Sequence, residues 1–129
     1  MLIRYWKSWI IAGVIFTLCL MPSSGLPELN VLEFRFADLV IHFLMFLVFS
    51  AILYADLMKY PYNRHKFLSP LVLALSICLL TGITTEMLQF LLASLNRTAN
   101  LFDLVFDTAG SLTGIVAMRI IKRRSYPGF

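Results

Sequence analysis

The chain has 129 residues, 60% of them hydrophobic and only 14% charged, with a mean hydropathy of +0.83. That composition excludes an ordinary soluble domain and implies one integral membrane domain spanning residues 1–129. The net charge of +4 and pI near 9.3 do not point to nucleic acid, because the basic residues stand in short clusters beside apolar stretches, a pattern that sets membrane orientation.

Four apolar stretches run roughly 5–21, 39–57, 67–92 and 101–121. At about 1.5 Å per helical residue, the last three can cross an apolar core of about 30 Å, and the first nearly can. They are continuously apolar and do not alternate, so barrel strands are excluded and the expected fold is all-α, polytopic, with four transmembrane helices.

The first stretch follows Arg4 and Lys7 and precedes Pro22-Ser23-Ser24-Gly25, so it also reads as a signal peptide. Without a clear small-x-small cleavage pattern, a retained helix is expected. Cys19 lies near its outer end and Cys78 near the middle of the third stretch. Their depths differ, so two packed thiols are expected and not a disulfide.

The second stretch opens on Asp38 and His42, which share one helical face. The third carries Gly82, Glu86 and Gln89 on one face, and the fourth Asp103, Asp107, Gly110 and Gly114. The Gly110-x-x-x-Gly114 spacing admits a second backbone on the stripe with the two aspartates, which should therefore point into the bundle. Counted from the helix ends, His42, Asp107 and Glu86 all lie about 6–9 Å deep, so the stripes meet at one level.

With four spans, Arg4, Lys7, Lys59, Arg64, Lys66, Arg119, Lys122, Arg123 and Arg124 flank one side, and Arg35 and Arg97 the other. The excess places both termini in the cytoplasm. Tyr5, Trp6, Trp9, Tyr54, Tyr60, Tyr62 and Tyr126 sit on the same side as an interfacial belt. The outer side holds Glu28, Glu33, Asp38, Glu86, Asp103 and Asp107 against its two arginines, a concentration of acid that needs partners, protons or cations.

Asp38-x-x-x-His42-Phe43 with Phe46, then Glu86-x-x-Gln89, then Arg97, Asp103, Asp107, Gly110 and Gly114 resembles the VanZ-like family of bacterial membrane proteins, over roughly residues 37–118. The first stretch matches only as a generic hydrophobic helix. Two positions depart from the family's usual pattern: Leu39 stands where Lys is frequent, and Asp107 where Asn is frequent. The resemblance implies a multi-pass protein of the bacterial inner membrane, with the family's name tied to resistance against teicoplanin-type glycopeptides. It implies no settled reaction.

Each polar residue also has a structural role to weigh. Asp38 and Asp103 can cap the second and fourth helices, and Glu86 can pair with Arg97 or Arg35. Asp56, at the cytoplasmic end, is expected to be solvated.

Three functions fit these residues. The leading one is an outer-leaflet pocket of Asp38, His42, Glu86, Gln89, Arg97, Asp103 and Asp107 for a polar head group, on a lipid-linked envelope precursor or a lipid-tailed glycopeptide. The second is a small membrane enzyme with Glu86, His42 and Asp107 in acid–base or metal chemistry; no nucleophile is marked, since Thr84, Thr85 and Ser94 have no activating spacing. The third is a structural or proton- or cation-coupled subunit, alone or as a homo-oligomer. No organic cofactor is called for. If a metal binds, one histidine among carboxylates favours a hard divalent cation over zinc.

The orientation is testable in intact cells. In a background lacking Cys19 and Cys78, Glu28→Cys and Ser94→Cys should react with a membrane-impermeant thiol reagent, and Asn63→Cys should not. Labelling of Asn63→Cys alone would reverse the orientation.

Overall fold

The computed structural model describes residues 2–21, 31–59, 69–92 and 100–125, the side chains of 2, 31–34 and 125 aside. Glu28, Ser94, Arg97 and the tyrosines at 60, 62 and 126 lie outside the described residues.

A 3-10 turn, Leu2–Tyr5, leads into α1, Trp6–Cys19; then come α2, Val31–Lys59, α3, Pro70–Leu91, and α4, Leu101–Ser125. All described elements are helical. The helices α2, α3 and α4 are long and apolar enough to cross a membrane. With 14 residues, α1 is about 21 Å long by itself.

The second helix is longer than hydropathy suggested. It begins at Val31, not near residue 39, because Val31-Leu-Glu-Phe-Arg-Phe-Ala37 contains no Gly or Pro to stop a helix, and its charges end only an apolar window, not the helix itself. Asp38 is therefore two turns inside α2 and caps nothing.

At the third helix, Ser69 accepts a hydrogen bond from the Val72 backbone N–H at 3.3 Å, and Pro70 occupies the first turn, where its missing N–H costs nothing. The fourth is capped by Asn100, whose Oδ1 accepts from the Phe102 backbone N–H at 3.2 Å. Asp103 lies in the first turn instead of at the cap.

The contacts give the directions of the helices. Ser8 Oγ donates to Asp56 at 2.8 Å, and Gln89 Nε2 donates to the Cys19 carbonyl at 2.8 Å. The first ties the start of α1 to the end of α2, so these run antiparallel. Between α2 and α4, Phe43 faces Gly110 and Leu47 faces Gly114, so these two run parallel, with α3 returning between them.

The α2–α4 contact is the most extensive among the described helices. A Cβ at Gly110 would overlap the Phe43 carbonyl, and one at Gly114 would overlap the Leu47 carbonyl and the Ser50 hydroxyl. The two backbones touch, which in lipid replaces the hydrophobic drive that water would supply.

The interior divides along the helix axes. Toward the ends of α2 and α3 that meet α1 near Tyr5, it is filled by Phe49, Leu53, Leu57, Ala74 and Ile115. Toward the other end it is polar, with His42, Thr85, Gln89, Asp103 and Asp107 all buried. Large apolar side chains such as Leu80, Phe90, Val105 and Val116 face outward, as a lipid-facing surface requires.

Two residues depart from the sequence reading. Tyr54, assigned to the interfacial belt, is 6% exposed and belongs to the core, because it follows Ser50 by one turn on the face that meets the bundle. Asp56 is half-buried and bonded to Ser8, so it clamps two helices where free solvation was expected. Trp6 and Trp9 are exposed at the start of α1. Cys19 and Cys78 are both buried and are not joined in a disulfide.

Gly110→Ala or Gly114→Ala should lower the thermal midpoint in detergent by the equivalent of about 1–3 kcal/mol, the usual cost of overpacking. Gly13→Ala should not, since nothing lies within 4 Å of that position. Equal stability of all three would remove the backbone contact as a determinant of the fold.

Candidate functional site

The parallel pairing of α2 with α4 aligns their polar residues turn by turn. His42 Nδ1 lies 2.9 Å from Asp107 Oδ1, with the two side chains 1% and 2% exposed. Where Asp107 is ionised it can only accept, and His42 Nδ1 is then the donor of this hydrogen bond. One turn earlier on both helices stand Asp38 and Asp103. Donor atoms of Asp38, His42 and Asp103 all lie within 4.8 Å of one another.

The third helix closes the cluster. Gly82 faces Asp107, and a Cβ there would stand 3.2 Å from Asp107 Oδ2 and 3.2 Å from Leu104 Cδ1. The glycine thus leaves room for the carboxylate. One turn on, Glu86 Oε2 accepts from the Asn100 backbone N–H at 2.9 Å, at the positive end of α4, where an anion is favoured.

Two buried oxygens have no hydrogen-bond partner among the described residues, Glu86 Oε1 and Asp107 Oδ2. Polar atoms in that condition are costly in a folded interior and mark a place where water, a proton or a ligand belongs.

The buried hydroxyls take no part. Thr85 donates to the Gly82 carbonyl at 2.8 Å, Ser111 to the Asp107 carbonyl at 2.7 Å and Ser50 to the Leu47 carbonyl at 3.1 Å. Exposed Thr84 bonds the Leu80 carbonyl at 2.7 Å. Each is satisfied by its own helix. Phe46, 0% exposed, lies one turn below His42 and meets Phe49 edge to face, with ring centroids 6.3 Å apart. It floors the polar cluster with hydrocarbon.

The structure therefore brings together Asp38, His42, Asp103 and Asp107, with Glu86 at the α3–α4 border. Gln89 is buried nearby, but its amide holds the end of α1. Arg97 lies outside the described residues, and Arg35 is exposed. Glu86 meets Asn100, a residue the sequence reading passed over, although Asn immediately before an apolar run is a helix-start signal.

An apolar groove of about 670 Å³ runs between α1, α2 and α3 from the end near Tyr5, lined by Trp9, Phe16, Leu53 and Ile77 among others. It reaches Thr81 and Thr84, the latter two residues before Glu86 on α3.

No curated protein and no solved structure matches the chain. A family model described as VanZ/LLP1 matches residues 6–122, so the match takes in α1 as well as the polar stripes. The chain is an all-helical membrane protein that belongs to the VanZ/LLP1 family.

Proposed function

We propose that this protein recognises the polar head group of a lipid-linked molecule at the outer leaflet of the bacterial inner membrane, either an envelope precursor or a lipid-tailed glycopeptide of the teicoplanin type. The observation that carries the reading is the buried His42–Asp107 pair, met by Asp38 and Asp103 in a membrane bundle. Ionisable groups at such depth are expensive and are kept chiefly for sites, ion paths or relays.

Three further features support it. Among the described residues, every basic side chain except Arg35 and His42 lies at the helix ends remote from the cluster, which favours cytoplasmic termini and an outer-leaflet site. The 3-10 turn adds about 8 Å to α1, for about 29 Å together, long enough for a fourth span. Carboxylates accept from the amine or hydroxyl groups of a head group.

An enzyme is the second reading, favoured by one observation: an imidazole oriented by a buried carboxylate is a general acid–base unit. The hydroxyls of Thr84 and Thr85 are turned to their own backbone, so the attacking group would be water or part of the substrate. Proton or cation transport ranks below both, because among the described residues the interior beyond Phe46 is largely apolar, with the Ser50 and Ser111 hydroxyls bonded to their own helices and Ser8 bonded to Asp56.

Glu86→Gln and Asp103→Asn retain side-chain volume, and should insert and express normally while abolishing the protein's effect on tolerance to a teicoplanin-type glycopeptide. A purely structural network would behave otherwise. Asp107→Asn would deplete the protein, since breaking a buried pair costs about 3–5 kcal/mol, and His42→Leu with Asp107→Leu would restore both level and phenotype. Full phenotype in all the single variants would sink the site reading.

A further inference from the structure

The first helix is fastened to different neighbours at its two ends. Near its start Ser8 Oγ donates to Asp56 on α2 at 2.8 Å, whereas at its finish the Cys19 carbonyl accepts from Gln89 on α3 at 2.8 Å. Between these bonds α1 packs more on α2 than on α3. The space left beside α3 is the apolar groove, which runs from Tyr5 and Leu73 at one end to Phe16 and Thr84 at the other, and the Gln89 bond draws the helices together beyond Phe16. The groove therefore opens toward the membrane surface at the Tyr5 end.

Its walls and its length select hydrocarbon. Trp9, Leu53, Ile77 and Leu80 line it, and its hydroxyls are already engaged: Thr81 donates to the Ile77 carbonyl, Thr84 to the Leu80 carbonyl and Ser8 to Asp56. These walls offer a polar group little to bond. On α3 the lining runs from Leu73 to Thr84, about 17 Å, against about 15 Å for half of a hydrocarbon core about 30 Å thick. An acyl chain of one leaflet has that reach.

The mouth has the opposite character. Tyr5 and Trp9 stand there as interfacial aromatics do, Arg4 and Lys7 flank them, Lys59 ends α2, and α4 finishes at the same surface with Arg119, Lys122, Arg123 and Arg124. Among the described residues Asp56 is the one acid at this end, and it accepts from Ser8. Lysine and arginine stems lie along apolar walls while their charges reach the head-group layer, where clustered bases attract anionic lipid.

We propose that the groove between α1, α2 and α3 binds one acyl chain of an anionic phospholipid from the leaflet at the Tyr5 end, with its phosphate among the bases at the mouth, Arg4 and Lys7 foremost. Lipid that merely surrounds a helix touches one face of it. Here three helices wall the chain, so this lipid is held in preference to its neighbours and completes the packing of α1 on α3 that Gln89 begins. The inference is independent of the head-group reading, since the acids lie at the other end of the bundle.

The chain has two tryptophans, so Trp6→Phe leaves Trp9 in the groove as the sole tryptophan, and Trp9→Phe leaves Trp6 outside it. Each full-length variant is reconstituted in phosphatidylcholine vesicles and quenched with phosphatidylglycerol brominated along its acyl chains, or with chain-brominated phosphatidylcholine. Trp9 should be half-quenched at about a tenfold lower mole fraction of the brominated phosphatidylglycerol, and Trp6 should show a preference of about twofold at most. Adding Arg4→Gln and Lys7→Gln should remove most of the Trp9 preference. Salt near 1 M, where the screening length falls to about 3 Å, should do the same in the unsubstituted mouth, so the result does not hang on how the variant folds. Equal quenching of Trp9 by the two lipids, or a preference that persists in high salt, would overturn the anionic head group. The same preference at Trp6 as at Trp9 would reduce the effect to general surface attraction and overturn the groove as its site. Protection of Trp9 from both quenchers, with a dimer on sedimentation, would give the groove to a second copy of the chain.

Discussion

Everything at the polar end of this molecule depends on how closely α4 can approach α2. Gly110 and Gly114 let the backbones touch at Phe43 and Leu47, and because the helices are parallel with the same rise, that register carries upward one turn at a time. His42 comes to Asp107, and Asp38 to Asp103. Side chains at the glycine positions would push the helices apart, and the hydrogen bond at 2.9 Å would not survive a displacement of even an ångström or two. The site is thus built by an absence of side chains below it.

The surroundings of the cluster are largely apolar. Leu80, Phe90 and Val105 face outward, Phe46 closes the cluster from below, and the neighbouring hydroxyls are bound to their own backbones. In such a medium a charge interacts over longer range than in water. Asp107 and His42 consequently cannot be treated as separate groups: removing one changes what the other can be. The burial of Glu86 Oε1 is likewise meaningful, whereas on a soluble protein's surface it would belong to an ordinary hydrated carboxylate.

Much of this was legible from the chain. The apolar stretches gave the helices, the spacing of Asp38, His42, Glu86, Asp103 and Asp107 gave their shared level, and Gly110 and Gly114 gave the face on which α4 packs. The misread features have physical reasons. Hydropathy measures the apolar part of a helix and not its hydrogen bonding, so the charged first turns of α2 were missed and Asp38 was weighed as a cap as well as a site residue. The cap also weighed for Asp103 is provided by Asn100, three residues earlier. Gln89 carries no sign in its neighbours that its partner is a carbonyl 70 positions away, since such contacts exist only once the helices have packed. Asp56 and Ser8 were equally mute, being 48 positions apart.

Those last two contacts have a consequence for the bilayer itself. The first helix is pinned near its start by Ser8 to Asp56 and at its end by Cys19 to Gln89, two clamps about 16 Å apart along the axis. A short membrane helix ordinarily adjusts to lipid thickness by sliding or tilting, but sliding α1 by one turn would break both clamps at once. Lipid thickness therefore does not set the position of α1. The clamps hold Cys19 level with Gln89, one turn from Glu86, so the end of the first helix and the acids keep one spacing in bilayers of different thickness.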